Sequence, residues 1–217
     1  MTSPTPPAEP TYADRTFRSS AGIVGGVLLL LFLCWLGGDA LVRGHGRTPW
    51  LALAGLLTVV PLVVAFSVRP AVFVNDRRIR IRNPFRTITL PWTEVADLRA
   101  GYSSELFTED GTKYQMWSIP VSLRQRKKAA RSQARASTGD PTGRTSGPAD
   151  VRDTTSRMAP ADRTMSDLRE MAERAKAVAS DQTAEAPEAP GSARWAYEVI
   201  APAVAGVVLF VVLLATG

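Results

Sequence analysis

Three stretches of this 217-residue chain, 19–38, 50–68 and 199–217, contain no Asp, Glu, Lys, Arg or His. They are 20, 19 and 19 residues long. Because a helix rises about 1.5 Å per residue, roughly 20 apolar residues cross the hydrocarbon core of a bilayer. Each block is therefore a candidate membrane span, and a fully soluble protein is excluded as an expectation. The overall composition, 45% hydrophobic and 21% charged, looks globular only because these blocks average with a polar remainder. That remainder suffices for one small domain and linkers.

The first two blocks are separated by the short loop Val42–Pro49, which predicts an antiparallel transmembrane hairpin over 19–68. One end of the hairpin carries Arg43 and Arg47. The other is flanked by Arg15 and Arg18, then by Arg69, Arg77, Arg78, Arg80 and Arg82. The positively charged side stays inside, so the N-terminus and the region after 69 are expected in the cytoplasm of a plasma membrane. A last transmembrane helix over 195–217, preceded by Arg194, Trp195 and Tyr197, would then place the C-terminus outside; Trp50 marks the other boundary. Residues 1–18, rich in Pro, Thr and Ser, read as a disordered tail. A cleaved leader is the competing reading, kept open by the triplet Gly38-Asp39-Ala40. Asp39 is expected in water just beyond the first span, and Pro61 is expected to kink the second. Gly22 and Gly26, like Ala201 and Ala205, have the spacing that lets membrane helices approach closely.

Basic charge is concentrated in residues 69–135, with 14 Lys/Arg against 6 Asp/Glu; the rest of the chain holds 12 against 14. Beside a membrane, such a segment points to an anionic lipid surface before nucleic acid. Cys34 is the sole cysteine and lies in the first block, while the sole histidine, His45, lies in the loop. Disulfides within the chain, Cys/His metal sites and His-based nucleophilic triads are therefore not expected, nor is any catalytic, metal or cofactor residue.

Residues 71–121 change texture. Ile79 and Ile81 alternate with Arg78, Arg80 and Arg82, the period-two pattern of a half-buried strand. Asn83-Pro84 marks a turn, and Ile88 and Leu90 alternate with Thr87 and Thr89 in a second strand. Further strands are expected over 71–74, 96–100 and 105–108, with Asp110-Gly111 turning the chain into 113–118. Such short strands predict a small antiparallel barrel or sheet, with Ile79, Ile81, Ile88, Leu90, Trp92, Val95 and Leu98 as its core. The order of Asn83, Pro84, Trp92, Glu94, Val95, Asp110 and Gly111 resembles the bacterial PH-like domain of small actinobacterial membrane proteins. The resemblance implies a β-domain over 69–121, built as a half-open barrel closed by a C-terminal helix, with no catalysis and no agreed ligand.

The row Arg78, Arg80, Arg82 has two readings, a solvated strand face or a contact for lipid headgroups. Arg124, Arg126, Lys127, Lys128, Arg131 and Arg135 form a basic segment over 122–135, with Ser122 and Gln125 at capping-box spacing. Lipid contact and a solvated linker compete there too. Nucleic acid is disfavoured, because no aromatic residue is interleaved to stack on bases. Residues 136–162 read as a disordered linker. Helix 163–180, capped near Thr164, places Leu168, Met171, Ala172, Ala175 and Ala179 on one face and is expected to close the barrel as a lid, with linker 181–194 beyond. The whole reads as a non-catalytic α+β membrane protein offering a PH-like module to an unidentified protein partner, an anionic lipid surface, or both. The alternative is a small transporter or enzyme accessory subunit using the helical bundle.

Overall fold

In the computed structural model the described residues are 15–138, 158–181 and 190–216. Of the disordered tail expected over 1–18 and the disordered linker expected over 136–162, residues 1–14 and 139–157 lie outside the described residues, as do 182–189 of the linker 181–194 and the side chain of Ala179. Within the described residues, Arg15–Phe17 instead form a strand, and 136–138 and 160–162 are helical, because neighbouring elements give them partners. Among the described residues three helices are long and apolar enough to cross a bilayer: α1 (Ser20–Arg43), α2 (Thr48–Val63, continued by a π-helical turn to Val68) and α5 (Tyr197–Ala215). Ser19 caps α1, its Oγ accepting from the Gly22 N–H at 3.1 Å. Helix α1 runs past Asp39, whose carboxylate pairs with Arg43 one turn on at 3.0 Å and stays half-exposed. Pro61 removes one ladder donor from α2. The hydrogen bonding then widens to i→i+5, ending with the Arg69 N–H on the Val64 carbonyl at 2.9 Å.

Helix α2 packs against both α1 and α5. The close approaches use Gly26, where a β-carbon would collide with Ser67, and Gly206, where it would collide with Thr58. In α5 the buried small residues are thus Ala203 and Gly206, whereas Ala201 and Ala205, singled out by spacing, are exposed. At the other end of the helices, Arg47 reaches the Leu213 carbonyl and the Thr216 hydroxyl, satisfying the α5 C-terminus.

Among the described residues no closed barrel forms, and the half-open barrel is realised as two open sheets. Two separate antiparallel sheets face each other: a five-stranded one, β1 (Arg15–Phe17), β2 (Ala71–Val74), β3 (Arg78–Arg82), β4 (Arg86–Pro91) and β8 (Ser192–Trp195), and a three-stranded one, β5 (Val95–Ala100), β6 (Ser104–Thr108) and β7 (Lys113–Gln115). The physical reason lies at the strand edges. Strand β8 pairs with β4, taking the edge that β5 would need to close a barrel, and β1 takes the free edge of β2. Strand β5 instead has its carbonyls capped by side chains, Leu98 O by Arg169 Nε at 2.7 Å and Ala100 O by Arg126 Nη2 at 2.8 Å.

The core lies between the sheets. Val72, Val74, Ile79, Ile81, Ile88 and Leu90 meet Val95, Leu98, Leu106 and Met116, with Trp92 buried among them. Helix α4 (Pro160–Asp181) covers the open side with Ala161, Met165, Leu168 and Ala172, and Met171 and Ala175 pack at the margin. It begins before the expected Thr164, whose hydroxyl donates back to the Pro160 carbonyl at 3.1 Å; proline suits a first helical position. The basic segment is helix α3 (Leu123–Thr138), with the Gln125 N–H on Ser122 Oγ at 3.3 Å.

Leu168 is fully buried, so Leu168→Ala should destabilise the sheet domain by about 2–5 kcal/mol. Leu123 is 53% exposed, and Leu123→Ala should change stability by no more than about 0.5 kcal/mol. Urea unfolding of the full chain in detergent, followed by tryptophan fluorescence, separates the two; equal effects would contradict α4 as part of the core.

Candidate functional site

All three apolar helices are joined to strands of one sheet. Strand β1 runs into α1 through Arg18 and Ser19, the end of α2 runs into β2 through Arg69 and Pro70, and β8 runs into α5 through Ala196. The near ends of the helices therefore converge on one end of the five-stranded sheet, beside the Asn83-Pro84-Phe85 turn.

Arg69 sits at the centre of this junction with its side chain 6% exposed. Its Nε donates to the Pro84 carbonyl at 3.1 Å, Nη2 donates to Thr87 Oγ1 at 3.2 Å, and Nη1 pairs with Glu198 at 3.1 Å. Burial lowers the guanidinium's pKa, Glu198 acts against that, and Arg82 adds repulsion. An arginine starts so high that it stays charged. The Ala196 N–H on the Phe85 carbonyl, at 2.9 Å, completes the seam.

Asn83 staples the two sheets at the helix end, while Trp92, in the link between them, is tied to the β2–β3 turn at the far end. At the helix end, Asn83 Nδ2 donates to the Gln115 carbonyl at 2.8 Å and Asn83 Oδ1 accepts from the Trp117 N–H at 3.3 Å. At the far end, Trp92 Nε1 donates to the Asn75 carbonyl at 2.8 Å. Glu94 accepts from the Gly191 N–H at 2.9 Å and so guides the chain into β8, and a β-carbon on Gly191 would press on the ends of the Glu94 and Leu90 side chains. Asp110 closes its hairpin through Thr108 and Thr112, with Gly111 at φ +82°.

The strand registers put Arg78, Arg80 and Arg82 on the outer face of the five-stranded sheet, turned away from the core. Phe73, Thr87, Thr89 and Arg194 share that face. Arg18 and Arg82 both lie over the Phe73 ring, at 5.7 and 5.9 Å from its centroid. Among the described residues, no carboxylate comes from these strand positions and none of these arginines forms an ion pair. On α3, Arg124, Lys127, Lys128 and Arg131 are exposed. Arg126 is spent inside the molecule: it binds Asp162 through two nitrogens and donates to the Gly101 and Ala100 carbonyls at 2.8 Å. Its partner lies 36 residues away, so spacing could not single it out. Arg18, Arg69, Phe73 and Arg194 were missed as site residues. The only signal for the arginines was their position flanking the apolar blocks.

Residues 69–182 match the family model of the bacterial PH domain. The chain belongs to this family. The matched region takes in both sheets except β1 and β8, together with α3 and α4, so the bacterial PH domain here borrows its two outermost strands from the segments leading into α1 and α5. No curated protein and no solved structure matches the chain. Among the described residues no group of three or more His, Cys, Asp or Glu is placed to hold a metal.

Two predictions follow from this geometry. Arg69→Met orphans a buried carbonyl and hydroxyl and should cost about 1–3 kcal/mol, whereas Glu198 is 63% exposed and Glu198→Gln should cost about 0–1 kcal/mol. Thermal unfolding of the two variants in detergent checks the asymmetry. The Asp110 carboxyl is held below its usual range, first by the Thr108 hydroxyl and then by Thr112. Its contribution to the hairpin is complete above about pH 4 and is lost as pH falls through the lower folded value. Amide exchange at Thr112, corrected for intrinsic rate, should accelerate in that acid range and should lose that pH dependence in Asp110→Asn.

Proposed function

We propose that this protein is a non-catalytic, three-span membrane protein that holds its bacterial PH domain against the cytoplasmic leaflet and contacts anionic lipid there. The observation that carries the reading is the junction. Three apolar helices feed one sheet at one end, and among the described residues the strand positions on that sheet's outer face carry Arg78, Arg80 and Arg82 with Arg194 and no carboxylate, while Arg18 lies over Phe73 beside them. Positive charge beside the helix ends favours the cytoplasmic side, which leaves the C-terminus outside. Arg124, Lys127, Lys128 and Arg131 of α3 add a second cationic surface, and cations close to an anionic leaflet contribute about 1 kcal/mol each. Arg126 is not part of this surface, because its guanidinium already holds Asp162.

The test uses the full chain in nanodiscs, either neutral phosphatidylcholine or a mixture with phosphatidylglycerol, at low and high salt. Amide exchange over 123–131 should slow in the anionic discs at low salt and recover at high salt. A variant with Arg124, Lys127, Lys128 and Arg131 all changed to Gln should show no such difference. Identical exchange in neutral and anionic discs would contradict lipid contact and leave a protein as the ligand of the domain.

A further inference from the structure

The segment after β7 reads Met116-Trp117-Ser118-Ile119. Met116, Ser118 and Ile119 are buried at 1%, 3% and 5% exposure, while Trp117 between them is 47% exposed. The loop is not loose: the Trp117 N–H is held by Asn83 Oδ1, and the Ile119 carbonyl accepts from Ser104 Oγ at 2.9 Å. The fold thus presents one large amphipathic ring outward from a fixed backbone. The ring meets Phe66 edge-on at 5.5 Å, and Phe66 meets Phe85 edge-on at 5.3 Å. Phe66 lies in the last turn of the second apolar helix and is itself 46% exposed.

We infer that this aromatic cluster is a fourth attachment to the bilayer, with Trp117 seated at the boundary between headgroups and acyl chains. The inference rests on the proposed three-span reading and goes further, because Trp117 belongs to the PH domain and to no apolar helix. Continuity decides the occupant. The exposed surface of Phe66 belongs to a helix long enough to span, so whatever medium bathes that turn also reaches the adjoining Trp117 ring. Tryptophan is favoured where one edge is apolar and the other wet. The consequence is orientation. The five-stranded sheet is fixed by the helices, and Trp117 pins the end of the three-stranded sheet at the same level. Helix α3, which begins at Leu123 and is tied by Arg126 to the Ala100 and Gly101 carbonyls, then starts close to the headgroups.

The experiment places a nitroxide at Trp117→Cys, Asp76→Cys or Phe210→Cys in a Cys34→Ala background, using the full chain in neutral phosphatidylcholine nanodiscs. Collision with oxygen, which partitions into lipid, is compared with collision with a water-soluble nickel chelate. Positions 117 and 210 should favour oxygen several-fold, while position 76, in the turn at the far end of the sheet, should favour nickel. A second readout leaves the cluster nearly intact: brominated lipid should quench the tryptophan fluorescence of the wild type more than that of Trp117→Phe. If position 117 behaves like position 76 while position 210 stays in lipid, the attachment is wrong and the spans stand. If position 117 is shielded from both colliders, protein covers it and the inference is overturned. If position 210 reads water, the spanning reading fails and the attachment falls with it.

Discussion

Arg69 is the interaction on which the arrangement depends. It is the first residue beyond the second apolar helix, and it is buried, an expensive position for a charge unless it is paired and hydrogen-bonded. The cost is met by partners from three directions: the turn between β3 and β4, the Thr87 hydroxyl of β4, and Glu198 in the first turn of α5. A hydrophobic residue at 69 could fill the space but would not fix the angle at which helix, sheet and second helix meet. The planar guanidinium fork does so because its donors point in set directions.

From that seam the rest follows. Once α5 is held beside the end of α2, the segment before it is delivered along β4 as β8, and the segment before α1 lies along β2 as β1. Those additions occupy the edges a closed barrel would use, and the domain instead becomes two sheets stapled at the helix end by Asn83, with Trp92 tying the link between them to the β2–β3 turn. Side chains replace a ladder where the sheets do not join, with Arg169 and Arg126 on the carbonyls of β5. Helix α4 covers the open side with Met165 and Leu168. The sheet domain is therefore not a bead on a tether but a continuation of the helices.

What was legible in the sequence was what is local. The apolar blocks announce α1, α2 and α5 because nothing but length and hydropathy is required. The alternation around Ile79 and Ile81, and the Asn-Pro and Asp-Gly turns, announce β3, β4 and the β6–β7 hairpin for the same reason. Strands β1 and β8 were invisible: Arg-Thr-Phe and Ser-Ala-Arg-Trp are too short to show a period, and they are extended because β2 and β4 offer edges. Barrel and open sheet could not be told apart at that point, since strand count does not reveal which edges are taken. The same limit applied to the site. Arg78, Arg80 and Arg82 could be placed on one face by parity, but Arg194 reaches that face only through β8. Arg126 looked like its neighbours on α3 until Asp162 was brought against it.

The claim that sheet and helices form one body is tested most directly by a distance. Nitroxides at Asp76→Cys and Leu214→Cys, in a Cys34→Ala background, mark the far end of the sheet and the far end of α5. Pulsed electron double resonance on the full chain should give one narrow distance, the same in detergent and in nanodiscs. A broad or multiple distribution would contradict the account and return the domain to a module swinging on its linkers.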